Sequence, residues 1–175
     1  GDDTCVGPLD LGFEFEFYGK RYSQIYVNSN GMVLFDACSS AYNNAPIPST
    51  EKPNNFIAPF WDDLTPNGGA VYWQVLGNAP RRYAVVEWQG VGVYSQSQPQ
   101  TFEVILYEGS NRVVFQYLDM NGDRGAGSSA SVGIENADGT AGVQYLYNGN
   151  PADHALHDGL VVEQTHSSTR NLSTH

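Results

Sequence analysis

Apolar and polar residues alternate along almost the whole chain. Phe13-Glu14-Phe15-Glu16-Phe17 does so strictly, so in an extended strand its three Phe rings share one face while both Glu face water. Tyr22 to Val27 and Met32 to Phe35 repeat the rhythm on either side of Asn28-Ser29-Asn30-Gly31, where Asn and Gly supply the left-handed backbone of a tight hairpin turn. Similar runs follow at Ala70 to Leu76, Tyr83 to Gln89, Thr101 to Glu108, Val113 to Leu118, Ala130 to Glu135, Val143 to Tyr147 and Leu160 to Glu163, each bounded by Gly, Pro, Asn or Asp. Phe102, Val104 and Leu106 project to one side. After the turn Glu108-Gly109-Ser110-Asn111, Val113, Phe115 and Tyr117 do the same, which predicts a central hairpin. No segment carries a sustained helical stripe with caps; the best, Ala152 to Leu156, is too short to hold by itself. About ten short strands with almost no helix predict an all-β fold, an antiparallel β-sandwich of jelly-roll type, with a closed barrel as the alternative. No period of roughly 20–50 residues recurs, which argues against a propeller or solenoid.

Charge narrows the partners. The 175 residues carry 8 Lys+Arg against 19 Asp+Glu, a formal net charge of -11. A field this negative repels phosphate backbones and anionic membranes, and the basic pairs Lys20-Arg21 and Arg81-Arg82 are too small for a nucleic-acid footprint. No apolar stretch reaches the roughly 18 residues of a membrane helix, and Gly1-Asp2-Asp3-Thr4 has neither the basic start nor the apolar centre of a signal peptide. The expectation is one soluble acidic domain over 1–166, cut from a longer protein, with a disordered tail or expression remnant over Ser167 to His175. Two connections are long and irregular, Ser39 to Asn55 and Gly122 to Ser129, and such loops are places where function can lie.

Cys5 and Cys38 are the only cysteines, and neither has the near Cys or His that a zinc knuckle or redox pair requires. A disulfide is the economical reading, two buried free thiols the other. Closing that loop restricts the unfolded chain by roughly 3–4 kcal/mol in the chain-entropy model. With few Lys and many Tyr, Asn, Ser and Gly, it points to an oxidising compartment, outside the cell or on its surface.

The candidates for chemistry are modest. Ile57-Ala58-Pro59-Phe60-Trp61-Asp62-Asp63-Leu64 ends an apolar run in two carboxylates. Neighbours on a strand point to opposite faces, so Asp62 and Asp63 share a calcium ion only if the chain turns there; otherwise one of them braces a loop through backbone N–H groups. Asp119, Asn121 and Asp123 place oxygens at alternate positions as a calcium loop does. Arg124 stands where that loop wants glycine and Ala130 where it wants a bidentate carboxylate, so a solvated turn is the competing reading. No motif requires a cofactor; the surplus of carboxylates would tolerate hard cations such as calcium, and a plain acidic surface explains it equally well. His154 and His157 lack a third zinc ligand, and there is no Gly-x-Ser-x-Gly elbow or phosphate-binding glycine loop. Glu87 and Glu103 can face each other across strands as a glycoside hydrolase would need. Tyr72, Trp73, Trp88 and Tyr94 lie on or beside strands and are candidates for a sugar-stacking platform, though they can equally fill the core; of the adjacent Tyr72 and Trp73, one must point away from it.

Taken together, Phe13 to Gly19, Ile25 to Gly31, Ile57 to Leu64, Phe102 to Gly109, Val113 to Tyr117 and Val132 to Thr140 resemble the nidogen-type extracellular domain and its bacterial relatives, accessory modules of secreted peptidases and surface proteins. The resemblance covers Leu11 to Tyr147. It implies a non-catalytic β-sandwich that binds or spaces extracellular parts of a multidomain chain, with an extracellular protein or glycan as partner, and it carries over no catalytic residues. The leading expectation is therefore an adhesive or accessory module. A carbohydrate-binding module, a hydrolase using a cross-strand carboxylate pair and a self-associating surface-layer piece are the other function classes.

Overall fold

The alternating runs fold as strands. In chain order these are β1 (Cys5–Phe17), β2 (Lys20–Asn28), β3 (Val33–Leu34), β4 (Phe56–Trp61), β5 (Leu64–Thr65), β6 (Ala70–Leu76), β7 (Tyr83–Val93), β8 (Pro99–Tyr107), β9 (Val113–Asp119), β10 (Ser131–Glu135), β11 (Gly142–Tyr147) and β12 (Val161–Gln164). The computed structural model describes residues 1–166; Ser167 to His175, expected as a tail, lie outside the described residues. Two antiparallel sheets form, one in the order β1-β2-β3-β4-β10-β11 and the other β12-β9-β8-β7, where β5 and β6 share the last edge by pairing with successive parts of β7. Neither sheet closes on itself, so the sandwich stands and the barrel does not.

Strand alternation supplies the core between the sheets. Phe13, Phe15 and Phe17 of β1 are buried, as are Phe102, Val104 and Leu106 of β8 and Val113, Phe115 and Tyr117 of β9, in the expected faces. Phe102 lies between Phe60 and Trp88, each at 5.2 Å between ring centroids, so an aromatic stack runs from one sheet into the other. The buried Tyr117 hydroxyl donates to the Pro59 carbonyl at 2.6 Å, which satisfies the one polar atom this ring brings inside.

Three features lie beyond strand periodicity. First, β1 begins at Cys5, well before Phe13, because it crosses two register shifts against β2 that break the alternation. Second, Gly122–Gly125 of the second irregular connection forms one helical turn, and Ala152–His154 only a 3-10 turn. Third, the Ser39 to Asn55 connection covers the outer face of the first sheet. Met32, Leu34, Ile47, Phe56, Ala58 and Trp61 form a second apolar cluster there, and the Trp61 indole donates to the Ala41 carbonyl at 3.1 Å. This is why every residue of β4 is buried: it has core on both faces.

Candidate functional site

The four aromatic candidates do not form a platform. Trp88 is wholly buried, stacked on Phe102, so it is a core residue and not a ligand residue. Tyr72 pairs in register with Glu87 and points to the outer face of the second sheet. Trp73 pairs with Val86 and points inward, yet stays 40% exposed because β6 is an edge strand. Tyr94 lies past the end of β7, where its backbone N–H donates to the Asp63 carbonyl at 2.8 Å. The adjacency of Tyr72 and Trp73 thus splits them as expected, but exposure at an edge leaves both reachable.

The carboxylates also separate. The chain bends between β4 and β5, and Asp62 turns inward to accept from the Ser129 hydroxyl and from the Asp63 N–H at 2.8 Å. Burial pushes the Asp62 carboxyl up, against the pull of Ser129, the Asp63 amide and Arg124. Asp62 therefore braces a loop. Asp63 turns the other way and meets Asp2 and Asp3, with ligand atoms of all three within 4.8 Å of one another. Burial, then the charges of Asp3, Asp2 and Asp62, push the Asp63 carboxyl up. The calcium-loop candidates do not gather in this way. Asp119 and Asp123 are exposed, and the Asn121 amide donates to Asp119 Oδ1 at 3.0 Å and to the Pro99 carbonyl at 2.7 Å, the hydrogen bonding of a solvated turn. Among the described residues, Asp2, Asp3 and Asp63 are the only group of three or more acids, cysteines or histidines close enough to hold one ion.

Several segments bring Asp2 and Asp3 there. Cys5 is disulfide-bonded to Cys38, with a Cα–Cα distance of 5.7 Å. Thr4 exchanges hydrogen bonds with Ser29, its N–H donating to Ser29 Oγ at 2.9 Å and its carbonyl accepting from the Ser29 N–H at 2.8 Å. The Asn30 amide donates to Asp3 Oδ1 at 2.9 Å, while its oxygen accepts from the Leu64 N–H at 2.9 Å, so one buried side chain positions both halves of the cluster. The hairpin turn that carries Asn30 also needs Gly31, at φ +86°, because a Cβ would collide with the Phe60 carbonyl. Sequence reasoning passed over Asp2 and Asp3; the one signal it held was the acidic pair shortly before Cys5.

Beside this cluster runs a groove of roughly 290 Å³ between the edges of the two sheets. Val6 and Leu9 of β1 form one wall and Ala70, Val71 and Trp73 of β6 the other; Gly1, Thr4 and Thr65 line the end next to the acids.

Elsewhere the expected pairs are placed without a pocket. Glu87 and Glu103 are direct cross-strand partners, and the Glu103 carboxyl is pushed up by burial, then by the charge of Glu87 and a hydrogen bond with it. His154 stacks on Tyr145 at 4.1 Å and hydrogen-bonds the Tyr145 carbonyl, and His157 is exposed, so the two do not converge on a metal.

The family described as NIDO related matches residues 1–171. The chain is 44% identical over 82 residues to Dendrite extension defective protein 1 of Caenorhabditis elegans, covering 42% of this chain and 7% of that protein. It is 29% identical over 155 residues to alpha-tectorin of Mus musculus, covering 73% and 7% respectively. With nidogen of Drosophila melanogaster it shares 26% over 190 residues, covering 89% and 14%. The chain thus spans only a small part of the length of these relatives. No solved structure matches it.

Proposed function

The chain belongs to the NIDO-related family, and from that premise we propose that it is a non-catalytic extracellular module that docks other proteins onto a larger secreted or cell-surface protein. The observation that carries this reading is the family match over almost the whole domain, in relatives of which it makes up only 7% to 14%. The Cys5–Cys38 disulfide supports an oxidising compartment. Binding of the purified domain to a panel of matrix proteins and to a glycan array tests the proposal. Saturable binding to a protein without turnover is expected. Saturable polysaccharide binding lost on Tyr72→Ala would replace it with the carbohydrate-binding reading, and hydrolysis lost on Glu103→Gln with the enzymatic one.

Calcium is an optional stabiliser in this reading, and its place is Asp63 with Asp2 and Asp3, three carboxylates on one side of a bend. Calorimetric titration with calcium chloride checks it: heat and a raised Tm that Asp63→Asn abolishes are expected, and neither would remove the ion.

A further inference from the structure

Edge strands expose unpaired N–H and C=O groups, and stable proteins blunt them with charge, proline, bulges or brevity. The edges of this sandwich follow that rule with one exception. β1 carries Pro8, Asp10, Glu14 and Glu16 and two register shifts; β12 is four residues long and holds Glu163; β11 has a register shift against β10, and its Gln144 side chain accepts from the Ile47 N–H of the covering loop. β5 has two residues. β6, Ala70-Val71-Tyr72-Trp73-Gln74-Val75-Leu76, has no charge, no proline and an unbroken seven-pair register with β7, and among the described residues it pairs with nothing on its other side. Val71, Tyr72 and Trp73 are 37%, 55% and 40% exposed, the densest run of exposed large apolar residues among those described.

The side chains of Val71 and Trp73 face the groove shared with Val6 and Leu9, so an incoming strand would find apolar cover for every second residue. The groove ends at Gly1, Thr4 and Thr65, which flank Asp2, Asp3 and Asp63, a concentration of negative charge raised further by the net -11 of the chain. A second copy would carry the same net charge of -11 and be repelled overall. A basic segment would relieve the charge.

We propose that β6 takes an extended segment of a partner protein as an added strand, with alternate apolar side chains in the groove beside Val6, Val71 and Trp73 and a Lys or Arg against Asp2, Asp3 and Asp63. This rests on the docking-module reading and names its surface and the chemistry of its partner.

The probe is a strand-length synthetic peptide of alternating Val and Thr that ends Lys-Arg, which antiparallel addition sets at the Ala70 end of β6 beside the acids, with a matched peptide that ends Glu-Glu, titrated in EDTA so that no divalent ion competes for the acids. Amide spectra and hydrogen exchange on the domain read where it binds. Slowed exchange confined to β6, shifts in Val6, Leu9 and Asp63 to Thr65, and affinity at least about tenfold weaker for the Glu-Glu peptide and for Val71→Lys are expected. Asp63→Asn should weaken the basic peptide and, by removing a like charge, strengthen the Glu-Glu peptide. The proposal falls if the basic peptide does not bind at millimolar concentration, binds elsewhere or as well as the acidic one, or if β6 becomes protected with protein concentration alone, the mark of a second copy. Should Val71→Lys keep full affinity for a matrix protein found with the panel, β6 is not the docking edge, while the docking-module reading survives.

Discussion

The indole N–H of Trp88, in β7, donates to the Asn28 carbonyl at the end of β2 across 3.0 Å, a buried hydrogen bond that, like that of Tyr117 to Pro59, ties the two sheets together. The Asn28 side chain accepts from the amides of Asn30 and Met32 at 3.1 and 2.9 Å, which sets the turn that in turn orients Asp3 and Leu64. Trp88→Phe removes the donor while keeping an aromatic ring. A loss of about 1–3 kcal/mol in urea denaturation is expected, along with shifted amide resonances at Ser29 to Gly31; unchanged stability would show that the carbonyl finds another donor.

Removing the Cys5–Cys38 bond with Cys5→Ala and Cys38→Ala together frees the N-terminus from the covering loop. The expected cost is roughly 3–4 kcal/mol on the loop-entropy estimate. Exchange at Thr4 to Val6 should accelerate before that of the core strands, because this segment is then held by the end of the β1–β2 pairing and the hydrogen bonds to Ser29 and Asn30.

Glu135 and His166 pull stability in opposite directions with pH. Burial pushes the Glu135 carboxyl from 4.5 up to about 7, against the Ser49 N–H that donates to it at 2.7 Å. Between those values the folded protein holds a proton that the unfolded chain has lost. The contribution of Glu135 is thus complete below about 4.5 and lost as pH rises through 7, with a slope of at most about 1.4 kcal/mol per pH unit. Burial lowers His166 below 6.5, so its contribution is complete above 6.5 and lost as pH falls. Glu135→Gln should therefore remove the decline toward pH 7 and leave stability rising with pH up to 6.5, read by thermal melts in matched buffers.

Glu87 and Glu103 stand directly opposite across β7 and β8. Like charges in that position destabilise a sheet, so Glu103→Gln should raise stability at neutral pH by roughly 0.2–1 kcal/mol. The gain should vanish in acid, where both carboxyls carry protons. A loss at neutral pH would mean that the pair is bridged by something that needs both charges.

The strands were legible because burial of one sheet face writes a period of two into the residues, as in Phe13 to Phe17 and in the hairpin of Phe102 to Tyr117. The hairpin turn at Asn28 to Gly31 was legible because few residues adopt its backbone. The covering role of Ser39 to Asn55 was not. A loop carries no period, and nothing local says that Ile47 and Ala41 will lie over Phe56 and Trp61. Trp88 was ambiguous for a related reason: alternation sorts residues into two faces without saying which face is covered.

The candidate site was half visible. Asp63 stood out as one of a pair, but the turn expected to let it share an ion with Asp62 parts the two instead. Its partners Asp2 and Asp3 lie some sixty residues away in sequence, brought in by the disulfide and by Asn30.

The sequence by itself determined the all-β class, the division of each main strand into two faces and the family, because these follow from local alternation and from ordered blocks of residues. Only the tertiary structure decided that Trp88 is core, that β6 is left as a bare edge and that Asp63 meets Asp2 and Asp3. Those outcomes depend on which strands pair across long stretches of chain, and strand order is set by the summed packing of both sheets, which no short window of residues contains.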